Sequence, residues 1–178
     1  MSNQNPFDQG YYQADELRKM GFKSVGKNVQ IAKNCTIIGL ENISMGDNVR
    51  IDDGVTIACA SGYLKIGSYV HIAGNSHLAC AGGITFSDFS GTSQGVRIYS
   101  GSDDYSGKYL NNSTIPKEFR NVSIKPIVFG RYVIIGSGSV VLPGVIIAEG
   151  SCVGALSLVT KSLESWGVYF GVPAKKFK

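Results

Sequence analysis

The chain is poor in the residues from which metal and acid–base sites are most often built. Only two of its 178 residues are histidine, His71 and His77, too few for a three-histidine zinc site within one chain. Its four cysteines, at positions 35, 59, 80 and 152, form no CxxC pair and show no regular spacing. They are read as small buried thiols in a reducing compartment, with no disulfide framework. Five prolines and no low-complexity run exclude a disordered chain. No apolar run approaches the ~20 residues of a membrane-spanning helix. The start, MSNQNPFDQG, has no basic segment followed by an apolar one, so no secretory signal is expected and a cytoplasmic location is. The net charge is +4, and three of the cations crowd into the tail as Lys175, Lys176 and Lys178. That excludes the broad basic face of a nucleic-acid binder and fits a local anion site near the C-terminus.

Glycine, by contrast, is abundant: 23 residues spread along the chain, which suits a fold with a tight bend every few residues. Hydrophobic content of 43% and charge of 17% are ordinary for a globular protein. The strongest pattern runs from Phe129 to Lys161. Apolar residues recur at every sixth position, at Phe129, Ile135, Val141, Ile147, Val153 and Val159, and a small residue follows most of them. A period of six fits neither a helix nor the short alternation of a half-buried strand. It is the signature of a parallel β-helix, in which each hexad lays down one short strand and one corner and three hexads close a triangular coil. The residues two before each apolar one, Val133, Ser139, Val145, Ser151 and Ser157, must then fit the corners. Stacked coils bury a core that no single coil could bury alone.

The organisation expected is a single domain, with an N-terminal segment over residues 1–24 and a prism from Val25 onward. Tyr11 to Met20 holds good helix formers and stops at Gly21, which predicts a short helix capping the open end of the prism. From Val25 the hexads come in triplets, with gaps of two or three residues that carry Ile43, Leu64 and Ile84. The repeat breaks after Asp103. Residues 104 to about 126 contain no hexad and read as an excursion loop, and repeats resume in phase at Phe129. About six coils result. The tail, SWGVYFGVPAKKFK, is expected to leave the prism and fold back over the last coil.

The strings VIIGSGSVVLPGV, VGALSLVTK and GVPAKK resemble those of the hexapeptide-repeat acyltransferases, and the resemblance covers Val25 to Lys178. It implies an all-β, left-handed parallel β-helix, a homotrimer with active sites between subunits, and acetyl-CoA as co-substrate without a metal. Within the family the chain is similar to small sugar acetyltransferases, both the N-acetyltransferases of nucleotide-linked amino sugars and the galactoside and maltose O-acetyltransferases. The resemblance places Ser137 and Ala155 along the pantetheine arm, Thr160 and Lys161 at the lower end of that groove, and Lys175 and Lys178 against the cofactor's phosphates. Cations suit a phosphorylated adenosine head.

Acyl transfer from a thioester needs a nucleophile freed of its proton, and histidine is the usual base near neutral pH. His71 and His77 both hold the sixth place of a hexad, so both point outward, on adjacent sides of the prism. His71 lies in YVHIAGN, which resembles the VHIAP segment of aminosugar N-acetyltransferases; His77 has no such match and is the weaker candidate. Where the O-acetyltransferases carry a histidine at the lip of the excursion, this chain has YSGSDDYSG. Asp103 and Asp104 stand there, and carboxylates suit an ammonium better than a sugar hydroxyl. Arg97 and Tyr105 are candidate sugar or phosphate contacts. The expected function is N-acetylation of a nucleotide-linked amino sugar, for example a dTDP-4-amino-4,6-dideoxy sugar, for O-antigen or other surface polysaccharide. Sugar O-acetylation is the alternative, and an Asx-type turn is the simpler reading of the two aspartates. A γ-carbonic-anhydrase-like hydratase would need a third histidine. A non-catalytic prism would show threonine ladders on a flat face.

Overall fold

The computed structural model describes Asn5 and residues 7–178, and its architecture is the left-handed β-helix that the hexads predict. Three sheets form the faces of a triangular prism. The first face carries seven parallel strands: Gln30–Ala32, Arg50–Ile51, His71–Ile72, Gly91–Thr92, Ile134–Ile135, Cys152–Val153 and Val168–Phe170. The second face runs from Thr36–Ile38 through His77–Ala79 and Arg97–Tyr99 to Leu158–Val159, and the third from Ser24–Val25 to Ile146–Ile147. Each of these two has six strands.

The periodicity works because the short strands turn apolar residues inward, with Thr92 a buried polar member of the first column. Ile31, Ile51, Ile72, Ile135 and Val153 stack in one column, Ile57, Leu78, Ile98, Val141 and Val159 in a second. The corner residues named from the repeat, Val133, Ser139, Val145, Ser151 and Ser157, are all buried. The serines among them are satisfied by carbonyls: Ser151 Oγ donates to Glu164 at 2.7 Å and Ser157 Oγ to Gly154 at 2.8 Å, so a buried hydroxyl costs little there. The coil that follows the excursion docks directly on the coil before it. Ile84 pairs with Ile127 and Phe86 with Phe129, and the two buried phenylalanine rings stack with centroids 4.4 Å apart.

Both ends of the prism differ from the sequence expectation. Tyr11–Gln13 is a strand, antiparallel to Gln30–Ala32 with Tyr11 opposite Ala32, and only Ala14–Leu17 is helical. The unpaired edge of the first coil explains the change: its backbone groups need partners, and pairing outweighs the helix propensity of so short a segment. The helix still caps, since Leu17 is only 1% exposed and belongs to the core. At the far end the tail does not leave the prism at once. Val168–Phe170 adds a seventh rung to the first face, with Tyr169 buried, and only then does Lys175–Lys176 return antiparallel across it.

One edge of the prism carries a ladder of exposed aromatic residues, Tyr69, Phe89, Tyr132 and Trp166, each stacked on the next at 5.0, 5.5 and 6.3 Å between centroids. All four have φ near +60°, a conformation that asparagine or glycine adopts more cheaply. Upstream on the same edge Asn28 and Asn48 take it, and Gly150 takes it beneath the Trp166 ring.

Candidate active site

The first face presents an organised polar cluster centred on Asp52. His71 Nε2 lies 2.7 Å from one carboxylate oxygen, while Arg50 Nε donates to the other at 2.6 Å and the Tyr11 hydroxyl at 3.0 Å. Arg50 also donates to the Tyr11 oxygen, at 3.0 Å. The prism's own geometry assembles this group. Arg50 and His71 are register partners on adjacent coils, and Asp52 stands two residues beyond Arg50, pointing out of the same face. Tyr11 arrives on the capping strand. Burial pushes the Asp52 carboxyl up, but hydrogen bonds from His71, Arg50 and Tyr11 outweigh it and hold the group below the usual carboxylate range. Burial, then the bond to Asp52, raises the Tyr11 hydroxyl. With Nε2 engaged by a carboxylate, Nδ1 is the ring nitrogen left to exchange a proton with a ligand, and the His71 side chain is 52% exposed.

Next to His71 in the ladder sits Gly91. A Cβ there would meet the His71 carbonyl oxygen at 2.6 Å, so the residue is glycine because the two backbones approach closely.

His77 occupies the second face, so the two histidines lie on adjacent sides of the prism as their places in the hexads require. It pairs in register with Arg97 and packs against Tyr99 at 5.6 Å. Burial, and then the nearby Arg97 charge, push its pKa down. Among the described residues no carboxylate is bonded to it.

The excursion leaves the second face after Arg97–Tyr99. Its two legs, Gly101–Ser102 and Ser123–Ile124, pair antiparallel. At its base a cleft of about 560 Å³ is lined by Tyr99, Gly101, Ser102, Asp103, Tyr105, Val140 and Leu142. The two candidate aspartates separate here. Asp103 faces the cleft and accepts from Arg120 at 3.2 Å. Asp104 accepts from the Ser106 backbone N–H at 2.6 Å and from Asn121 Nδ2 at 2.7 Å. Ser106, then Asn121, hold the Asp104 carboxyl below its ordinary range. That is the turn geometry of an Asx residue. Arg97 is exposed and donates only to the Gly95 carbonyl, at 3.3 Å, among the described residues; Tyr105 is exposed at the cleft mouth.

Of the six residues matched to a cofactor groove, Ser137 and Ala155 occupy the same corner on adjacent coils. The Leu156 N–H donates to the Ser137 carbonyl at 2.8 Å, and a Cβ at Gly136 would strike the Ala155 nitrogen at 2.5 Å. The tail touches this end of the stack, for Ala174 N–H donates to the Leu158 carbonyl at 2.8 Å. Thr160 and Lys161 follow the last second-face strand and are exposed. Lys175 lies exposed on the returning strand, opposite Phe170, and the Lys178 ammonium sits 5.7 Å from the Phe177 ring centroid. Lys176 is the tail cation paired within the chain, with Glu164 at 2.8 Å.

An exposed, carboxylate-oriented histidine thus stands on one face of the prism, and a cleft with a carboxylate on the next. No family model matches the chain. Individual proteins do: the chain is 44% identical over 165 residues to a dTDP-4-amino-4,6-dideoxy-D-glucose acyltransferase of Escherichia coli, spanning 93% of this chain and 86% of that one. The chain belongs to the hexapeptide-repeat acyltransferases. This acyltransferase also superposes with a TM-score of 0.91 on AntD, an N-acyltransferase from Bacillus cereus solved with dTDP and 3-hydroxybutyryl-CoA; identity is 43%, over 96% of this chain and 89% of that one. A maltose O-acetyltransferase from Clostridium difficile, at 22% identity and a TM-score of 0.60, shares the fold.

Asp52, Arg50 and Tyr11 around His71, and Arg120 beside Asp103, were not singled out by the sequence. For Asp52 a signal exists. Once a coil is known to take about 20 residues, the neighbours of His71 are found one coil back, at Arg50 and, two residues on along the same face, at Asp52.

Proposed function

We propose that the protein transfers an acyl group from an acyl-CoA thioester to the sugar amino group of a dTDP-linked 4-amino-4,6-dideoxyhexose. The observation that carries this reading is the near-full-length match to AntD, which has also been solved holding dTDP-4-amino-4,6-dideoxyglucose together with coenzyme A. AntD was studied with replacements of one serine and of one aspartate ten positions further on. In this chain Ser93 and Asp103 are the one serine–aspartate pair at that spacing, which supports Asp103 as an acceptor contact.

In this reading Asp103 accepts a hydrogen bond from the sugar amine and aims its lone pair at the thioester carbonyl. The C–N bond forms, the C–S bond breaks, and the nitrogen gives up one proton while the cofactor sulfur leaves and gains one. His71, oriented by Asp52, is the base that takes the proton lost; His77, Tyr105 and Arg97 flank the acceptor, with Asp104 shaping the turn. Ser137, Ala155, Thr160 and Lys161 form the cofactor wall, and Lys175 and Lys178 meet its phosphates.

His71 and Asp103 sit on different faces of one prism. A homotrimer of parallel prisms, in which a face of one subunit meets a different face of the next, brings such groups into one groove. The product fits a nucleotide-sugar route to surface polysaccharide, which we place in the cytoplasm. A relative of 31% identity over 140 residues is a putative lipopolysaccharide biosynthesis O-acetyl transferase.

The test is an acceptor screen that follows thiol release from acetyl-CoA and 3-hydroxybutyryl-CoA. Turnover is expected with dTDP-4-amino-4,6-dideoxyglucose and not with its 4-hydroxy counterpart. Turnover of plain galactosides without any amino sugar overturns the reading. Sedimentation showing only monomer at working concentration overturns the trimer.

A further inference from the structure

The carboxylate offered to the acceptor does not stand alone. One oxygen of Asp103 accepts from Arg120 at 3.2 Å, and the other has no partner among the described residues. The Asp103 side chain is 33% exposed and faces the cleft, whereas that of Arg120 is 17% exposed and does not line it. The Arg120 Nε is buried without an acceptor, and Asp103 is the one carboxylate bonded to its guanidinium among the described residues. A guanidinium is always charged. From behind Asp103 it acts on a ligand in this cleft through the carboxylate and not by contact.

The pairing of the excursion's legs, Gly101–Ser102 with Ser123–Ile124, brings Arg120 back onto Asp103. The other charged or titratable groups nearby are engaged elsewhere or unpaired. Asp104 is held by Ser106 and Asn121. Tyr99 and Tyr105 line the cleft, with His77 and Arg97 beside Tyr99 on the second face. Lys117 and Glu118 are exposed in the turn before Arg120. An unbalanced carboxylate beside an amino sugar has an unhelpful preference: it favours the ammonium, which has no lone pair, over the free amine that attacks a thioester. A cation fixed on the carboxylate opposes that preference, because charges a few ångströms apart in a partly buried site interact strongly. The paired Asp103 still offers an oxygen to an N–H.

Resting on the acyl transfer proposed above, we propose that Arg120 is a positioning residue that makes Asp103 select the free-base form of the acceptor amine. An ammonium gives its extra proton to solvent on binding. The resulting amine donates one N–H to Asp103 and keeps its lone pair for the thioester carbon. As the C–N bond forms and the C–S bond breaks, the nitrogen loses one further proton, which His71 takes, and the departing sulfur gains one. Selection of the reactive form is thus completed before the chemical step.

The experiment is calorimetric titration of the full chain with dTDP-4-amino-4,6-dideoxyglucose, in the presence of saturating coenzyme A so that no acyl group is transferred. It is run one pH unit below the amine's own pKa, where about nine-tenths of the free ligand is ammonium. Two buffers of different protonation enthalpy then give the protons released per ligand bound. The parent is expected to release about nine-tenths of a proton, and the 4-hydroxy counterpart, which reports any contribution from protein groups, none. Arg120→Gln is expected to bring the release near zero and to tighten the apparent Kd by up to ~10-fold, the factor by which selecting a minor form weakens binding. Its kcat at the same pH is expected to fall ~10-fold, since a bound ammonium cannot attack. Arg120→Lys keeps the charge and is expected to keep most of the release. Binding by the parent without proton release overturns the inference, and so does a release that Arg120→Gln leaves unchanged, which is the result for a residue that only braces the excursion. Either outcome beside turnover of the amino sugar removes this inference alone. A parent that binds coenzyme A but neither binds nor acylates the amino sugar removes the proposed function with it.

Discussion

The same corner of the prism, between the second and third faces, is built in two ways along the stack. In the coils before the excursion it is wide. From Ile37 to Met45, Ile57 to Ile66 and Leu78 to Phe86 the chain spends two or three residues more than the strict six that separate Val141 from Ile147 further down. The excursion leaves from this same corner on the fourth coil, between Arg97–Tyr99 and Ile127–Phe129. It is therefore an enlargement of a corner already widened. The strict coils carry the strings matched to a cofactor wall, whereas His71, Asp52, Asp103 and Arg120 lie in the wide coils or the excursion. A regular stack supplies a rigid groove, and departures from its period supply the chemical differences.

The comparison can be broken at several places. The largest expected effect comes from removing the excursion. Replacing residues 104–121 by a short glycine-containing turn is expected to leave the far-ultraviolet circular dichroism of the prism intact, because Ile84–Phe86 already pairs with Ile127–Phe129, and to abolish amino-sugar turnover. Loss of the prism itself would show that the loop holds the coils together. Phe129→Ala removes one ring of the buried Phe86–Phe129 stack and should cost ~3–5 kcal/mol in chemical denaturation. Two corner glycines should differ in what they tolerate. Gly39 has φ +78°, and a Cβ would meet the Cys59 carbonyl oxygen at 2.0 Å, so Gly39→Ala should cost ~2–3 kcal/mol. At Gly154, with ordinary φ, the nearest atom is the Phe170 Cβ at 3.0 Å, and alanine there should cost under ~1 kcal/mol. Equal costs would remove the distinction.

Asp52 offers a smaller test. Because its folded pKa is depressed, the stability it contributes is present above the unfolded carboxylate value of about 3.9 and is lost as pH falls through the lower folded value. Asp52→Asn should flatten the acid limb of thermal stability below about pH 4, the unfolded carboxylate value. Glu164→Gln, which removes the exposed partner of Lys176, should leave the thermal midpoint unchanged.

Strand positions and corners were legible in the sequence because the hexad is a local rule. Each inward residue, from Ile31 to Val159, is fixed by its own place in a unit and by no distant partner. The ends of the prism were not legible. Tyr11–Gln13 opens the stretch to Met20 that holds good helix formers, and the unpaired edge of Gln30–Ala32 draws it into a strand. Val168–Phe170 lies in a stretch whose glycines read as turns, and only the open last coil recruits it. At the candidate site, His71 and Asp103 stood out as residue types in an outward position and at a break in the repeat. Their partners did not, because Asp52 and Arg120 lie 19 and 17 residues away.

By itself, then, the sequence determined a six-residue period, and with it the prism, the direction of every regular side chain and the place where regularity fails. The tertiary structure decided which outward residues meet. Coil stacking sets Asp52 beside His71, the N-terminal strand brings Tyr11 onto Asp52, and the folding back of the excursion places Arg120 on Asp103. A hydrogen bond forms between neighbours in space, and in a stacked coil those neighbours are a full turn apart along the chain.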